Sequence, residues 1–515
     1  MVNVASEKAS LLPGGPTTSE AIRPLGPELR ELASMAVQIS LRQMVRQVMT
    51  ITDAAFQGHV GTKQLAGVAL AMGWMGVPSG FVQMSIQAIS TLCSQAHGAG
   101  NNHLVGTWLQ TAIVFAVVAG IPVMIWYQFV GHMIAWTMGD PETVEFGAAF
   151  ARVMSLGLIP QYVYGALSTY FSTQGVIMPA TLCSAVTMLV NIGFNQVFIY
   201  GAFGWDGIGF LGSPLATVVS TVLQLTLFVL YTIVWKGYHV KYWGGWSWEC
   251  VHADRLRAFF ALALPMGASS VVDWGSGTLA GSFSGLLGST VAAAQAILLG
   301  LFGVVNSCVF GFSAASQIRM ARYLGQGKPE NAKRVLRLGL TIVLSCSAVL
   351  CLVLGLFSRS LFRIWSTDPA ILNTCTSATL AFVGCVLVAF VRFLLTAAMN
   401  ALARADLNLI ANNIASWGVY VPLSYVLPIV CHWGLAGFWW ADTAGETLKA
   451  LILLWGLSRV QWLEASVNAQ KFAQQVDPVA EEELEVDVAA VGGLTLSPKA
   501  ALLSPRPTGQ DHAMT

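Results

Sequence analysis

The chain has 515 residues. Of these 55% are hydrophobic and only 10% charged, the mean hydropathy is +0.65 and the formal net charge is +1. Soluble globular chains carry about 25% charged residues, so this composition excludes an ordinary soluble domain and describes a polytopic membrane protein with no charge excess to hold nucleic acid. Nine scattered cysteines without a CxxC spacing point to neither a disulfide framework nor a zinc site.

Residues 1 to about 30 are polar and rich in Pro and Gly, and read as a cytosolic tail without a secretory signal. Apolar segments then recur at 32–56, 64–92, 104–128, 146–170, 178–200, 208–235, 258–284, 290–317, 335–358, 370–402, 408–430 and 433–458. Each is about long enough to cross a bilayer as a helix, so the expected fold is an all-α polytopic membrane protein with twelve transmembrane helices. The expected divisions are a tail over 1–30, a first lobe over 31–235, a cytosolic link over 236–257, a second lobe over 258–460 and a disordered cytosolic tail over 461–515. Positive charge sets the orientation. Lys236, Lys241, Arg255 and Arg257 follow the sixth segment, and Arg319, Arg322, Lys328, Lys333, Arg334 and Arg337 follow the eighth. Asp140, Glu142 and Glu145 follow the third. Even-numbered links are therefore expected on the cytosolic side, with both termini.

The first segment is unusual. Gln38, Arg42, Gln43, Arg46, Thr50 and Asp53 fall within an arc of roughly 120° at 100° per residue. An Arg or Asp at the centre of a membrane helix costs about 2.5–3.5 kcal/mol, so this face is expected to look into protein or a wet cavity. The chain also repeats itself. Gly61–Gly100 aligned without gaps on Gly288–Gly327, an offset of 227, gives ten identities in forty positions, among them Gly73/Gly300, Gly76/Gly303, Gly98/Gly325 and Gly100/Gly327. Both copies follow an odd-numbered helix. This predicts two six-helix lobes with the same topology, related by a pseudo-two-fold axis along the membrane normal, with a site between or within them.

Several motifs in this order resemble the multidrug and toxic compound extrusion (MATE) family in its eukaryotic form. Asp53-Ala-Ala-Phe-Gln-Gly-His-Val-Gly61 is similar to that family's first-helix signature, and Thr91-Leu-Cys-Ser-Gln-Ala-His-Gly98 to its motif closing helix two. Phe171–Pro179, Trp246-Ser-Trp-Glu249, Leu264-Pro265, Gly311-Phe-Ser-Ala-Ala-Ser316 with Leu324-Gly325, and Lys333-Arg334 match further stretches. The resemblance covers about residues 31–460. It implies a secondary antiporter that exports small organic compounds, xenobiotics or organic ions, in exchange for H+ or Na+. No cofactor beyond the coupling ion is implied. The expected partners are a small-molecule substrate and the bilayer, with the chain a monomer in the plasma membrane or a vacuolar or lysosomal membrane.

The resemblance also assigns roles. In the first lobe Asp53, Asn191, Asn195 and Thr217 form the expected cation- or proton-coupling cluster; bacterial members have an acid where Asn195 stands. In the second lobe Asp273 matches the helix-seven acid, with Ser269 and Ser270 on its face and Trp274 beside it. Helix ten departs from the family: Phe393 occupies the place of its carboxylate, next to Arg392, which shares a face with Thr396 and Asn400. The expected substrate cavity therefore comprises Gln43, Arg46, Ser269, Ser270, Trp274, Arg392, Thr396 and Asn400. Asp442 and Glu446 on the last helix rank lower. The repeat makes Arg46 the counterpart of Asp273 and allows a cross-lobe Arg46–Asp273 pair. Arg46 and Arg392 also leave room for an organic-anion (citrate-like) exporter or a flippase of lipid-linked substrates. A membrane-embedded enzyme fits poorly, since the eight His form no HxxxxD or HExxH pattern. In the tails, Glu7 to Leu12 fits an acidic dileucine sorting signal, and Ser497 and Ser504, each before Pro, are candidate phosphorylation sites near an acidic run at 481–487.

Overall fold

The computed structural model describes residues 24–474 apart from 138–139, 203, 364 and 367. The tail motifs lie outside the described residues. Twelve long helical spans follow one another: α1 (Leu25–Val60), α2 (Thr62–Ala99, turning at Gln87), α3 (Asn102–Thr137), α4 (Pro141–Ser155 continued by Leu158–Thr173), α5 (Met178–Tyr200), α6 (Gly209–Trp235), α7 (Ala253–Gly285), α8 (Ser289–Gly325), α9 (Pro329–Phe362), α10 (Pro369–Ala401), α11 (Ala405–Val430) and α12 (Gly434–Ser458). Helices are what a bilayer dictates, because each backbone group finds its partner within the segment. Nine of these spans are long and apolar enough to cross a membrane on composition alone; α1, α4 and α12 are not among them. Two of those three, α1 and α12, carry the polar clusters described below. Prolines are absorbed locally. In α11, Pro422 and Pro428 cannot donate, and wider π-turns at Ser416–Tyr420 and Val426–Val430 carry the chain past them.

Six helices make each lobe, and each lobe has its own apolar core. The first is centred on Trp108, Tyr162, Tyr170, Phe171 and Phe228, the second on Phe362, Phe382, Leu394 and Trp439. The lobes meet where α1 packs on α8 and α2 packs on α7. Exchanging the lobes maps the first contact onto the second, and the offset of 227 holds at the level of atoms. A Cβ on Gly98 would lie 2.1 Å from the Arg322 carbonyl oxygen, and one on Gly325 would lie 2.1 Å from that of Gln95; both Gly98/Gly325 and Gln95/Arg322 are pairs at that offset. In the same way Gly76 faces the Trp274 ring and Gly303 faces the Gln47 amide, with 3.0 and 3.2 Å available to an added Cβ. One turn further along, Gly73 meets nothing, and Gly300 approaches only Trp365 of its own lobe. The seam is thus close-packed from Gly98/Gly325 to Gly76/Gly303, about half depth, and at Gly73/Gly300 an added Cβ would meet no atom of the other lobe.

Side chains lock the closed end. Thr91 donates to the Asn400 carbonyl at 2.9 Å and Gln95 to that of Ala401 at 3.0 Å, while Arg322 donates to the Thr173 carbonyl. At the same end Arg319 and Glu28, each 2% exposed, tie α8 to the start of α1 at 2.6 Å. Two expected boundaries move. The first six residues of α1, 25–30, were placed in the N-terminal tail. Residues 462–474, placed in a disordered tail, form a further helix, α13 (Trp462–Gln474). Its polar composition hides a narrow face of small residues: Ser466 and Ala473 are buried, Ser466 donates to the Leu324 carbonyl at 2.9 Å, and Ala473 accepts from Asn101 at 2.9 Å. Phe472 stacks on Trp108 with centroids 6.4 Å apart. The helix therefore holds on to both lobes at the closed end.

Candidate functional site

Each lobe contains one polar cluster inside the membrane span. In the first lobe Asp53, 7% exposed, accepts from Asn195 Nδ2 at 2.8 Å and from Thr217 Oγ1 at 3.1 Å. Asn195 also donates to Asn191 Oδ1 at 3.1 Å, one helical turn back on α5. Asp53 thus receives two hydrogen bonds and, among the described residues, no ion pair. Hydrogen bonds join the four residues assigned to this cluster in the order Thr217, Asp53, Asn195, Asn191.

Asp53 borders a cavity of about 440 Å³ lined by α1 to α6, with Phe310 of α8 at its edge. Its wall is polar to a degree unusual for a membrane interior: Arg42, Arg46, Tyr164 and the amides of Gln43, Gln57, Gln83, Gln87, Gln161 and Gln224. The Gln83 amide oxygen is assigned toward Arg46, where it accepts from Nη1 at 2.9 Å and Nη2 at 3.2 Å. Arg42 Nη1 is buried without a hydrogen-bond partner. Neither arginine pairs with a carboxylate among the described residues. All of the polar arc of α1 except Gln38 lines this cavity, which resolves the insertion cost noted above: those charges face a pocket and not lipid.

The second lobe is organised by ion pairs. Asp273 Oδ1 lies 3.1 Å from Lys449 Nζ, and Asp273 Oδ2 accepts from Asn412 Nδ2 at 3.1 Å. Lys449 is also 3.1 Å from Glu446 Oε1, and Glu446 Oε2 is 2.7 Å from Arg392 Nε. One turn earlier on α12, Asp442 accepts from the Cys385 thiol at 3.2 Å. Alternating charges thus run Arg392, Glu446, Lys449, Asp273 from α10 through α12 to α7. The Arg392, Glu446 and Lys449 side chains are nearly buried, whereas that of Asp273 is 41% exposed. Asp273 is the exposed end of the chain of charges. Ser269 helps to hold it by accepting from Asn412 at 2.7 Å.

These contacts revise several expectations. Arg46 does not meet Asp273: the partner of Arg46 is Gln83, and that of Asp273 is Lys449, which the sequence reading passed over. Arg392 is paired with Glu446, and its guanidinium lies over the Phe393 ring at 3.9 Å. Asn400 sits at the closed end, accepting from Asn408 at 2.7 Å, and Thr396 offers its carbonyl to the same side chain at 3.4 Å. Trp274 and Ser270 press on Gly76 and Gly80 of α2, at the seam between lobes. Of the eight residues assigned to the substrate cavity, Gln43 and Arg46 line the first-lobe cavity. Glu446 and Lys449 were legible in principle: with Asp442 they share one face of α12 at i, i+4 and i+7.

A twelve-helix bundle of two pseudo-symmetric lobes, with buried carboxylates in each and a cavity inside the membrane, defines an integral membrane transporter. The MatE family model matches residues 39–197 and again 265–426, one match to each lobe. The chain is 26% identical over 449 residues to multidrug and toxin extrusion protein 1 of Xenopus tropicalis, covering 87% of this chain and 77% of that one. It is 25% identical over 480 residues to the Homo sapiens protein of the same name, covering 91% and 83%. Its fold matches the crystal structure of the eukaryotic MATE transporter AtDTX14 with a TM-score of 0.80, at 20% identity over 87% of this chain and 99% of that one. A multidrug resistance MATE family transporter in an outward-facing conformation matches with a TM-score of 0.75, at 17% identity over 86% and 100%. The chain belongs to the MatE family. It is a multi-pass membrane transporter of the multidrug and toxin extrusion type, not an enzyme.

Proposed function

We propose that the protein is a secondary antiporter that exports small organic compounds, monovalent organic cations foremost, in exchange for protons. The observation that carries this reading is the accessible Asp273 at the end of the buried charge chain. With all groups ionised, Asp273, Glu446 and Asp442 set three negative charges against Arg392 and Lys449, leaving one negative charge. One proton or one monovalent cation brings the cluster to neutrality. Taking both would leave an uncompensated positive charge in a medium of low dielectric, which is strongly disfavoured. Proton and substrate therefore exclude each other, and that exclusion is what an antiporter needs, since each ligand acts only through its differential effect on the other. In this reading the closed Gly98/Gly325 end is cytosolic, the lobes part toward the opposite face, and the chain works as a monomer. Asp53 with Asn191, Asn195 and Thr217 forms a second, weaker proton site.

A second reading, an organic-anion exporter, is favoured by Arg42 and Arg46 in the first-lobe cavity. Linkage opposes it: protonating Asp53 makes that cavity more positive and strengthens anion binding, which favours co-transport over exchange. Purified protein in proteoliposomes separates the readings. An imposed pH gradient should drive uptake of a labelled quaternary ammonium compound, and citrate should not compete. Uptake of labelled citrate with no ammonium transport would replace the first reading by the second.

A further inference from the structure

We propose that Lys449 is a tethered counter-cation that makes the second-lobe site select protons and organic cations against Na+. The proposal rests on Asp273 being the coupling carboxylate. A bound Na+ requires a shell of oxygen acceptors, the usual ligands of hard cations. The surroundings of Asp273 offer the opposite. Its Oδ1 is occupied by the Lys449 ammonium and its Oδ2 by the Asn412 N–H, each at 3.1 Å, so both oxygens already face donors. The only other carboxylate in contact with that ammonium among the described residues, Glu446, is itself shared between Lys449 and Arg392. A metal ion entering here would stand beside an ammonium that Glu446 holds in place, and would have to draw its ligands from two oxygens that already face donors.

A proton has no such difficulty. Taken up on Asp273 Oδ1, it removes the ion pair and leaves Lys449 on Glu446 at 3.1 Å, with no shell to build. An organic cation has no shell to build either. It needs only the charge of Asp273, reached from the exposed side. The ionisable groups around Asp273 are Lys449, Glu446 and Asp442 on α12, Arg392 and Cys385 on α10, and Tyr420 on α11. The stretch of α2 that packs on α7 carries none apart from the buried Cys93. Lys449 is therefore the one cation in direct contact with Asp273 among the described residues, and its removal frees Asp273 Oδ1 and Glu446 Oε1, while Asn412 stays on Asp273 Oδ2 and Arg392 on Glu446 Oε2.

The test is equilibrium binding of radiolabelled Na+ to the purified full chain at alkaline pH, for wild type, Lys449→Met, Lys449→Arg and Lys449→Met/Asp273→Asn. Wild type should bind no Na+ that depends on Asp273. Lys449→Met should bind it about tenfold more tightly or better, Lys449→Arg should restore exclusion, and the double variant should lose what Lys449→Met gained. In proteoliposomes, Lys449→Met should move the pH profile of ammonium exchange to more alkaline values and make it sensitive to Na+. Na+ binding by the wild type that Asp273→Asn abolishes would overturn the proposal, and this arm needs no folded Lys449 variant. So would a folded Lys449→Met that still excludes Na+. If Asp273→Asn instead exchanges normally, the coupling reading itself fails, whatever Lys449 does.

Discussion

Gly98→Ala should separate the lobes at their closed end while leaving each lobe folded. The added Cβ would stand 2.1 Å from the Arg322 carbonyl oxygen, a backbone atom of α8 that no rotamer change can move. Ordinary C···O contacts begin near about 3.3 Å, so α2 and α8 must part by about 1 Å. Overpacking of this kind costs about 1–3 kcal/mol. The helix-propensity gain of Gly→Ala, about 0.8–1 kcal/mol, is present whether the lobes touch or not and drops out of that equilibrium. The cost falls only on the state in which the lobes touch, so the closed end should open about 5- to 150-fold more often with little loss of thermal stability. The assay is the labelling rate of Ser94→Cys, a buried reporter near the seam, by a water-soluble maleimide in a background without the nine native cysteines. Gly325→Ala, its pseudo-symmetric mate, should do the same. The double variant should do less than the sum, because lobes already moved apart meet the second methyl with less strain. Unchanged labelling in both single variants would refute the close-packed seam.

Three further outcomes follow from the contacts. Arg392→Met should lower stability by about 3–5 kcal/mol, the cost of stranding one partner of a buried ion pair; adding Glu446→Gln should recover part of it, as read from thermal denaturation in detergent. Truncation after Val460 removes α13 with its hold on Leu324, Asn101 and Trp108, so Ser94→Cys should label faster than in the full chain. Asp53→Asn keeps an acceptor for Asn195 or Thr217 and should reduce pH-driven exchange less than Asp273→Asn; the reverse order would move the coupling centre to the first lobe.

Much of this architecture was legible because one physical demand leaves one mark on the sequence. Backbones in contact admit no Cβ at Gly98 and Gly325, and Gly76 and Gly303 make room for the Trp274 and Gln47 side chains, so the four recur at one offset; the repeat foretold the two lobes, and the structure adds the seam. The Asp53 cluster was legible through the resemblance, which assigned Asn191, Asn195 and Thr217 to it; the structure adds that Asn195 and Thr217 are the donors a carboxylate in an apolar span needs. The second-lobe chain was not foreseen. Arg392 looked like a cavity cation because its partner, Glu446, lies 54 residues away on another helix, and periodicity within a helix cannot pair charges between helices. Lys449 escaped for the same reason, although its face is shared with two acids. The helix α13 was missed because small residues do its packing, and they read as a polar tail.

The account stands on Asp273 as the group whose charge proton and substrate contest. The most direct test is proteoliposome exchange by Asp273→Asn beside wild type, with uptake of a labelled quaternary ammonium and proton efflux recorded together under an imposed pH gradient. The substitution leaves Arg392, Lys449, Glu446 and Asp442 in balance, which fixes the site in the neutral state that a proton would create. Wild type should take up the ammonium compound and release protons, and Asp273→Asn should do neither while keeping the elution profile and helical content of a folded protein. Exchange by Asp273→Asn at the wild-type rate and with the wild-type pH dependence would contradict the account.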